Sequence, residues 1–428
     1  MKSRIISIGD ELLRGDTVNT NASWLGEILI ENGWPVTEVY TVGDSAGAIK
    51  EVIGQAMNAS DLVITTGGLG PTQDDLTKNV VAEIFDARLV LHEPTLKFIK
   101  ERFKERNIPF SESNYHQAEV PDNCQVLPNE YGTAPGLWIE ENGGRLAVLP
   151  GIPHEMKALV QNEVLPRLKP VTEGKKRIFS RHIKVAGIGE STLSDNVLGP
   201  LDDFITEDIS VAFLPSTQVN TIRINTQAIS KRQADKKCDQ LIRHIYKKAG
   251  KYIIGEGRDL TLSKAVGKVL RDYSLKIAVA ESCTGGLLSN VLTDTPGSSD
   301  YMVGGLTAYA NEVKMSQLDV PKEMLAEYGA VSRPVALQMA KAVARLMKAD
   351  VGVSTTGIAG PGGGTDEKPV GTVWIGFWSS NRHFALRTHF TDDRLLNKER
   401  SVAVALETVR RTIIDVEPMP YGLNSYPA

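Results

Sequence analysis

Leu62-Val63-Ile64-Thr65-Thr66-Gly67-Gly68-Leu69-Gly70-Pro71 decides the fold of the first part of the chain. Its first five residues are a short apolar and β-branched run, the pattern of a strand buried on both faces. The glycines that follow let the backbone turn sharply and bring N–H groups close to a ligand. Past the turn, Asp74 or Asp75 caps a helix expected to run to about Phe85.

The same alternation extends outward from that unit. Residues 5–8 read as a buried strand, and Asn21 as the N-cap of a helix that ends at Asn32-Gly33. Residues 36–42 and 146–149 are further strands, the last leading through Pro150-Gly151-Ile152-Pro153 into a helix that stops near Pro166 or Pro170. Strands alternating with helices predict a parallel, doubly wound sheet, in which ligands sit beyond the carboxyl ends of the strands. Gly9-Asp10-Glu11, Gly43-Asp44 and the 67–75 loop all fall at those ends. Carboxylates beside a glycine turn offer oxygen ligands for a divalent metal and backbone N–H groups for a phosphate. Helix capping accounts for one of the two adjacent aspartates but not for the glycines.

Residues 171–174 read as a linker. From 175 to 257 the pattern changes to extended runs at 181–185, 210–213 and 221–226, with helices near 192–198 and 233–249. This is the signature of a small α+β module with antiparallel strands. Its slight excess of basic residues is that of a solvated face rather than a nucleic-acid patch.

A third unit, 258–415, opens with a helix at 263–271 and a strand at 276–280. It then packs hydroxyls, one lysine and two glycine-rich turns into fewer than a hundred residues. These are Glu281-Ser282-Cys283-Thr284-Gly285-Gly286, Gly297-Ser298-Ser299, Tyr309, Lys314 and the 356–364 segment that begins Thr356-Gly357. Strands at 351–356 and 370–378 and a helix at 396–414 complete it, and the tail 416–428 is expected to be flexible. An amide carbonyl needs a nucleophile, a base and oxyanion donors, and this set supplies all three. Ser299 can serve as nucleophile and Lys314, if burial lowers its pKa, as base, with Tyr309 relaying or orienting the proton; a core tyrosine and a solvated lysine are the other readings of these two residues. The 357–364 loop or the helix start at Gly285-Gly286 offers N–H groups to a phosphate. Ser282 and Thr284 act either as helix caps or on substrate. Cys283, beside a helix N-terminus, is the rival nucleophile, with His383 or His389 as the partner it would need.

At 428 residues the chain exceeds a single core, so two or three domains are expected. Its 41% apolar and 23% charged content is that of a globular protein, and a net charge of −4 gives no overall nucleic-acid or membrane footprint. Cys124, Cys238 and Cys283 lack metal-ligand spacing and fit a reducing, cytoplasmic setting. The apolar run after Met1-Lys2-Ser3-Arg4 is too short for a spanning helix.

Read together, Gly9-Asp10-Glu11-Leu12-Leu13-Arg14-Gly15, Asn19-Thr20-Asn21, the glycine turn through Thr72-Gln73-Asp74-Asp75, and Pro150-Gly151-Ile152-Pro153-His154-Glu155-Met156 resemble the CinA family. The resemblance implies that residues 1–170 are similar to molybdopterin-binding domains and hydrolyse ADP-ribose at its pyrophosphate with a divalent metal ion. Asp44 and Asp75 fall where such domains carry ligand-binding aspartates. With Glu11 they are the expected metal ligands, and Gly67, Gly68 and Gly70 the substrate-binding turn. The middle module takes the place of a KH-like domain. Its Gly187-Ile188-Gly189-Glu190 is not the GxxG clamp of RNA-binding KH modules, so a spacer or dimer element is expected there.

The motifs of the third unit resemble the nicotinamide mononucleotide amidohydrolase domain of the same family, an α/β/α unit. Ser299, Tyr309 and Lys314 match its catalytic group. Ser282, Thr284, Gly285, Gly286, Thr356, Gly357 and Arg394 match supporting or substrate-contacting positions. The resemblance implies a homodimeric, bifunctional hydrolase of pyridine-nucleotide salvage without direct nucleic-acid or membrane contact. The alternatives are a molybdopterin- or nucleotide-binding protein without N-terminal turnover, and a partner protein in competence or recombination.

Overall fold

A computed structural model of the chain describes residues 1–72, 75–111 and 113–427. Asp74, one of the two expected helix caps, lies outside the described residues. The chain forms two compact units, Met1–Phe179 with Thr226–Asp235, and Ser180–Asn225 with the chain from Lys236 onward.

In the first unit, a six-stranded sheet runs in the order Val36–Val42, Ser3–Ile8, Leu62–Thr66, Gly144–Leu149, Gly136–Glu141, Gln125–Leu127. The first four strands are parallel, and the last two are antiparallel additions at one edge. Because side chains alternate across a strand, the central strands feed two cores. Ile5, Leu62 and Ile64 pack with helix Thr20–Glu31 and the helical segment from Pro153. Ile6, Ile8 and Val63 pack on the other face with helices Ala46–Ala59 and Thr77–Ile84. This is the doubly wound architecture that the alternation predicts.

Two expected caps differ. Asn19, not Asn21, caps the first long helix by accepting from the Ala22 amide at 3.0 Å. Asp75 caps nothing: helix Thr77–Ile84 follows Leu76 without a side-chain cap, and the Asp75 carboxylate accepts from the Thr72 amide at 3.0 Å. In both places the loop's own hydrogen bonds set where the helix starts. The stretch 86–141, with no clear period, adds helix Glu93–Glu105, a two-stranded ladder of Leu89–Leu91 with Glu119–Pro121, and the antiparallel edge.

The second unit holds the C-terminal sheet and most of the middle module. The middle module is a four-stranded sheet ordered Ile209–Leu214, Asn220–Ala228, Arg177–Val185, Ile253–Glu256, with helix Lys231–Ala249. The C-terminal sheet runs Met302–Thr307, Ile277–Glu281, Val351–Gly357, Thr372–Ser379, His383–His389, Ser425–Pro427. Its first three strands are parallel and the rest antiparallel. Helices Leu262–Asp272, Leu287–Thr293 and Arg394–Ile413 contribute to the core on one face. Helices Asn311–Leu318 and Arg333–Leu346 contribute to the other, which gives the α/β/α layering.

The tail expected to be flexible is instead the sixth strand, pairing with Phe384–Leu386, and Met419 is buried. Met419 and Leu423 pack on the core and anchor the segment despite its Pro, Gly and Ser content. The middle module meets the last helix through a buried ion cluster. Glu407 accepts from Arg410 and from Arg411 at 2.6 Å, and Arg411 also donates to the carbonyls of Pro418 and Ala186. Removing Glu407 would leave two buried guanidinium groups without their carboxylate. Glu407→Ala is therefore expected to cost about 3–5 kcal/mol in chemical denaturation of the full chain.

Candidate functional sites

The carboxyl ends of the parallel strands in the first unit open into a cavity of about 530 Å³. Glu11, Asp44, Gly67, Gly68, Gly70 and Asp75 all line it, so the structure gathers the whole set expected there. Gly67 has φ 116 and Gly68 φ 67, conformations that favour glycine. Thr77 fixes the turn by donating to the Gly67 carbonyl at 3.0 Å. Asn21 ties the neighbouring strand ends together by donating to Thr66 Oγ1 and the Gly151 carbonyl.

The carboxylates do not form a ready-made metal site. Asp44 Oδ2 accepts from the Asp10 amide at 2.9 Å, and Asp75 is held by Thr72. Among the described residues, no three His, Cys, Asp or Glu side chains group closely enough to hold a metal ion. The donor set as folded does not fit the expected ion. Sequence reading gave no role to Glu155, which also lines the cavity. It is buried and accepts from Asn129 Nδ2 at 2.7 Å. Its place in the Pro-Gly-Ile-Pro-His-Glu run after a strand was the signal.

In the C-terminal sheet, the loops after the three parallel strands converge. Lys314 is only 1% exposed, and its Nζ donates to the carbonyls of Ala308 and Tyr309, each at 2.9 Å. A neutral amine has two N–H groups, so these carbonyls satisfy both and leave its lone pair free. The charged form carries a third N–H that neither carbonyl takes. Burial lowers the Lys314 pKa, partly opposed by Cys283 and Glu312. Tyr309 is 60% exposed, and its hydroxyl accepts from Arg394 Nη2 at 3.0 Å. Arg394 Nη1 donates to the Gly360 carbonyl at 2.8 Å, which joins the third strand's loop to the start of the last helix. Buried Asn397 locks that junction by donating to the carbonyls of Ala359 and Thr391.

Ser282 and Thr356 are buried at the same strand ends, and Thr356 donates to the Ala330 carbonyl at 2.7 Å. Thr284 donates to Glu281 Oε2. Gly357 closes its strand, and Gly285-Gly286 turns into helix Leu287–Thr293. That helix start is not open to a phosphate. The buried Glu281 carboxylate accepts from the amides of Gly286, Leu288 and Ser289, filling the anion position with a fixed charge. Of the two phosphate positions expected, only the 357–364 loop stays open. A carboxylate ending an apolar strand just before a glycine turn was the sequence sign.

Cys283 is also corrected. Burial pushes its thiol up to about 12, with Glu281 adding to the rise, so a helix start does not make it a thiolate. His383 and His389 are exposed, while Cys283 lies in the core. Cys283→Ala, which removes one buried sulfur atom, is expected to leave any turnover at this site within about twofold.

Ser299 is the exception to the convergence. It is exposed in the short turn Ser298–Asp300, at the amino end of strand Met302–Thr307, while Tyr309 and Lys314 follow the carboxyl end. Six residues of strand separate them, about 20 Å. Within one chain the structure does not bring Ser299 to Tyr309 and Lys314.

Comparison with known proteins gives three family models in tandem. "Probable molybdopterin binding domain" matches residues 4–170, "Damage-inducible protein CinA KH domain" residues 180–255, and "CinA C-terminal domain" residues 259–413. A CinA-like protein of Salinibacter ruber is 44% identical over 96% of this chain and 100% of its own length. One of Dictyoglomus thermophilum is 42% identical over 97% and 100%. Among solved structures, CinA of Thermoplasma acidophilum is 35% identical, covering 37% of this chain and 94% of its own, with a TM-score of 0.35. A molybdopterin biosynthesis protein of Mycobacterium abscessus covers 40% and 96% at 17% identity, with a TM-score of 0.28. No helix among the described residues is long and apolar enough to cross a membrane.

Proposed function

The chain belongs to the CinA family, and from that premise we propose that it is a bifunctional hydrolase of pyridine nucleotides. Its C-terminal domain deamidates nicotinamide mononucleotide to nicotinate mononucleotide and ammonia, and its N-terminal domain cleaves ADP-ribose at the pyrophosphate. The observation that carries the first activity is Lys314, an amine held on two backbone carbonyls whose burial lowers its pKa. An amine with a lowered pKa is more readily available as a base, and this one is held by the backbone carbonyl of Tyr309, whose side chain is exposed. The Tyr309–Arg394 pair supplies a hydroxyl and a guanidinium for the nucleotide, and the 357–364 loop supplies amides for its phosphate.

The N-terminal reading rests on the cavity's glycine turn, whose amides suit a pyrophosphate. One observation favours a second reading there, nucleotide binding without turnover: two of the three expected metal-binding carboxylates are already engaged by the backbone. Chromatography of products from nicotinamide mononucleotide and from ADP-ribose, with and without chelator and added divalent ion, tests both domains. Nicotinate mononucleotide and ammonia from the first substrate are expected, as are AMP and ribose phosphate from the second. Retention of ADP-ribose in every condition leaves the binding reading for the N-terminal domain. Undiminished hydrolysis in excess chelator removes a role for the metal.

A further inference from the structure

The Gly187-Ile188-Gly189-Glu190 turn has no part in either site described above. It lines a cavity of about 610 Å³ between the middle module and the C-terminal sheet, wholly inside the second unit. On the module's side the wall is this turn and the bend at 215–217. On the other side stand the end of strand His383–His389 with Phe390, the middle of helix Arg394–Ile413, and the tail at Tyr421 and Leu423. None of Tyr309, Lys314, Thr356, Gly357 or Arg394 lines it.

The wall is held by the fold's own hydrogen bonds. Buried Asn220 donates to the Ile188 carbonyl at 2.8 Å, and the Tyr421 amide donates to the Gly187 carbonyl at 2.7 Å. Tyr421 sits at φ 54 and ψ 22, a left-handed conformation that bulky residues rarely take. Strain of this kind concentrates where ligands are held.

The lining mixes charge with apolar and aromatic surface. Arg400, half-buried on the helix, makes no hydrogen bond or ion pair among the described residues, so its whole guanidinium fork stays available. Glu190, also half-buried, is likewise unpaired among the described residues. Phe390 and Tyr421 add two rings, and Ile188, Val404 and Leu423 add apolar surface. A guanidinium fork matches a phosphate, a carboxylate accepts from sugar hydroxyls, and aromatic rings stack on a base.

The geometry points to a further nucleotide site. The cavity takes a nucleoside monophosphate: Arg400 holds the phosphate, Glu190 the ribose hydroxyls, and Phe390 and Tyr421 the base. Its volume is that of a small-molecule site. The assignment rests on neither the amidase nor the ADP-ribose reading. The occupant also bears on the 357–364 loop through the backbone. The Phe390 amide donates to the Gly371 carbonyl at 3.0 Å, and the Gly371 amide to the Ile358 carbonyl at 2.8 Å. Arg400 follows Arg394 by six residues on the same helix, about 9 Å along its axis.

The test irradiates the full chain with a photoreactive azido analogue of AMP and maps the label on tryptic peptides. Label is expected on peptide 388–394, which holds Phe390, or on 412–428, which holds Tyr421, and AMP should displace it. Arg400→Gln should raise the half-labelling concentration there about 10–100-fold, the usual worth of hydrogen bonds to a charged group. Should Arg400→Gln fail to fold, Glu190→Gln carries the comparison, with a rise of about tenfold expected. Label confined to the first unit, or to peptides carrying Tyr309 or residues 356–364, overturns the site. So does label on 388–394 and 412–428 that both variants leave unchanged. Inorganic phosphate that displaces the label as well as AMP does overturns the nucleotide assignment, and adenosine that does so overturns the phosphate role of Arg400. Hydrogen exchange reads the link to the loop: AMP should slow the 357–364 amides in the wild-type chain and not in Arg400→Gln. No slowing in the wild-type chain overturns the link.

Discussion

Lys314→Met is expected to lower kcat/KM for nicotinamide mononucleotide by about 10²–10⁴-fold, the usual worth of a positioned general base. ADP-ribose cleavage should be unchanged, since its cavity lies in the other compact unit. The pH profile makes the prediction specific. The working form is the neutral amine, so wild-type activity should rise with pH through a pKa below lysine's ordinary value of 10.5. Stability follows the same sign. Between the lowered folded pKa and 10.5, the unfolded chain holds more protons than the folded one. Wild-type stability should therefore increase with pH across that window, and the cost of burying the amine applies in full below it. Lys314→Met carries no titrating group there, so that component of the slope should vanish. Urea denaturation at several pH values, beside ammonia release, reads both. A variant with wild-type turnover would end the assignment of Lys314 as base.

Gly67→Ala should act mainly on the first unit. A Cβ at Gly67 would overlap the backbone carbonyl oxygen of Ile8, an atom of the adjacent central strand that no side-chain rotation moves. The residue also sits at φ 116, where an L side chain is strained. Strain of about 1–3 kcal/mol, with overpacking of about the same size, is enough to displace the turn that lines the cavity. The expected result is a lower unfolding temperature for the first unit and loss of ADP-ribose binding by calorimetry, with ammonia release intact. Gly15→Ala is the control, because a Cβ there meets nothing within 4 Å, although its φ of 80 is also positive. Equal effects from both variants would mean that strain alone, and not the contact with Ile8, governs the turn.

The parts of this molecule legible in its sequence are those that depend on local pattern. Strand 62–66 is buried at every position, and an all-apolar and threonine run of that length followed by glycines has few other uses. The Glu11, Asp44 and Asp75 cavity followed, because residues at the carboxyl ends of neighbouring parallel strands must meet. The antiparallel edge within 86–141 left no comparable trace, since short strands with mixed faces carry no period.

Sequence also determined which chemical groups were available: a lysine, a tyrosine, serines and two glycine turns. It could not say which hydrogen bonds each would make, because those partners come from distant strands. Only the tertiary structure showed that Glu281 occupies the helix start, since its carboxylate reaches three amides of the following turn and removes that anion site. Only the fold showed that burial outweighs the helix start at Cys283. Ser299 and Lys314 look adjacent at fifteen residues' separation, but a β-strand is extended, and it carried them to opposite ends of the sheet.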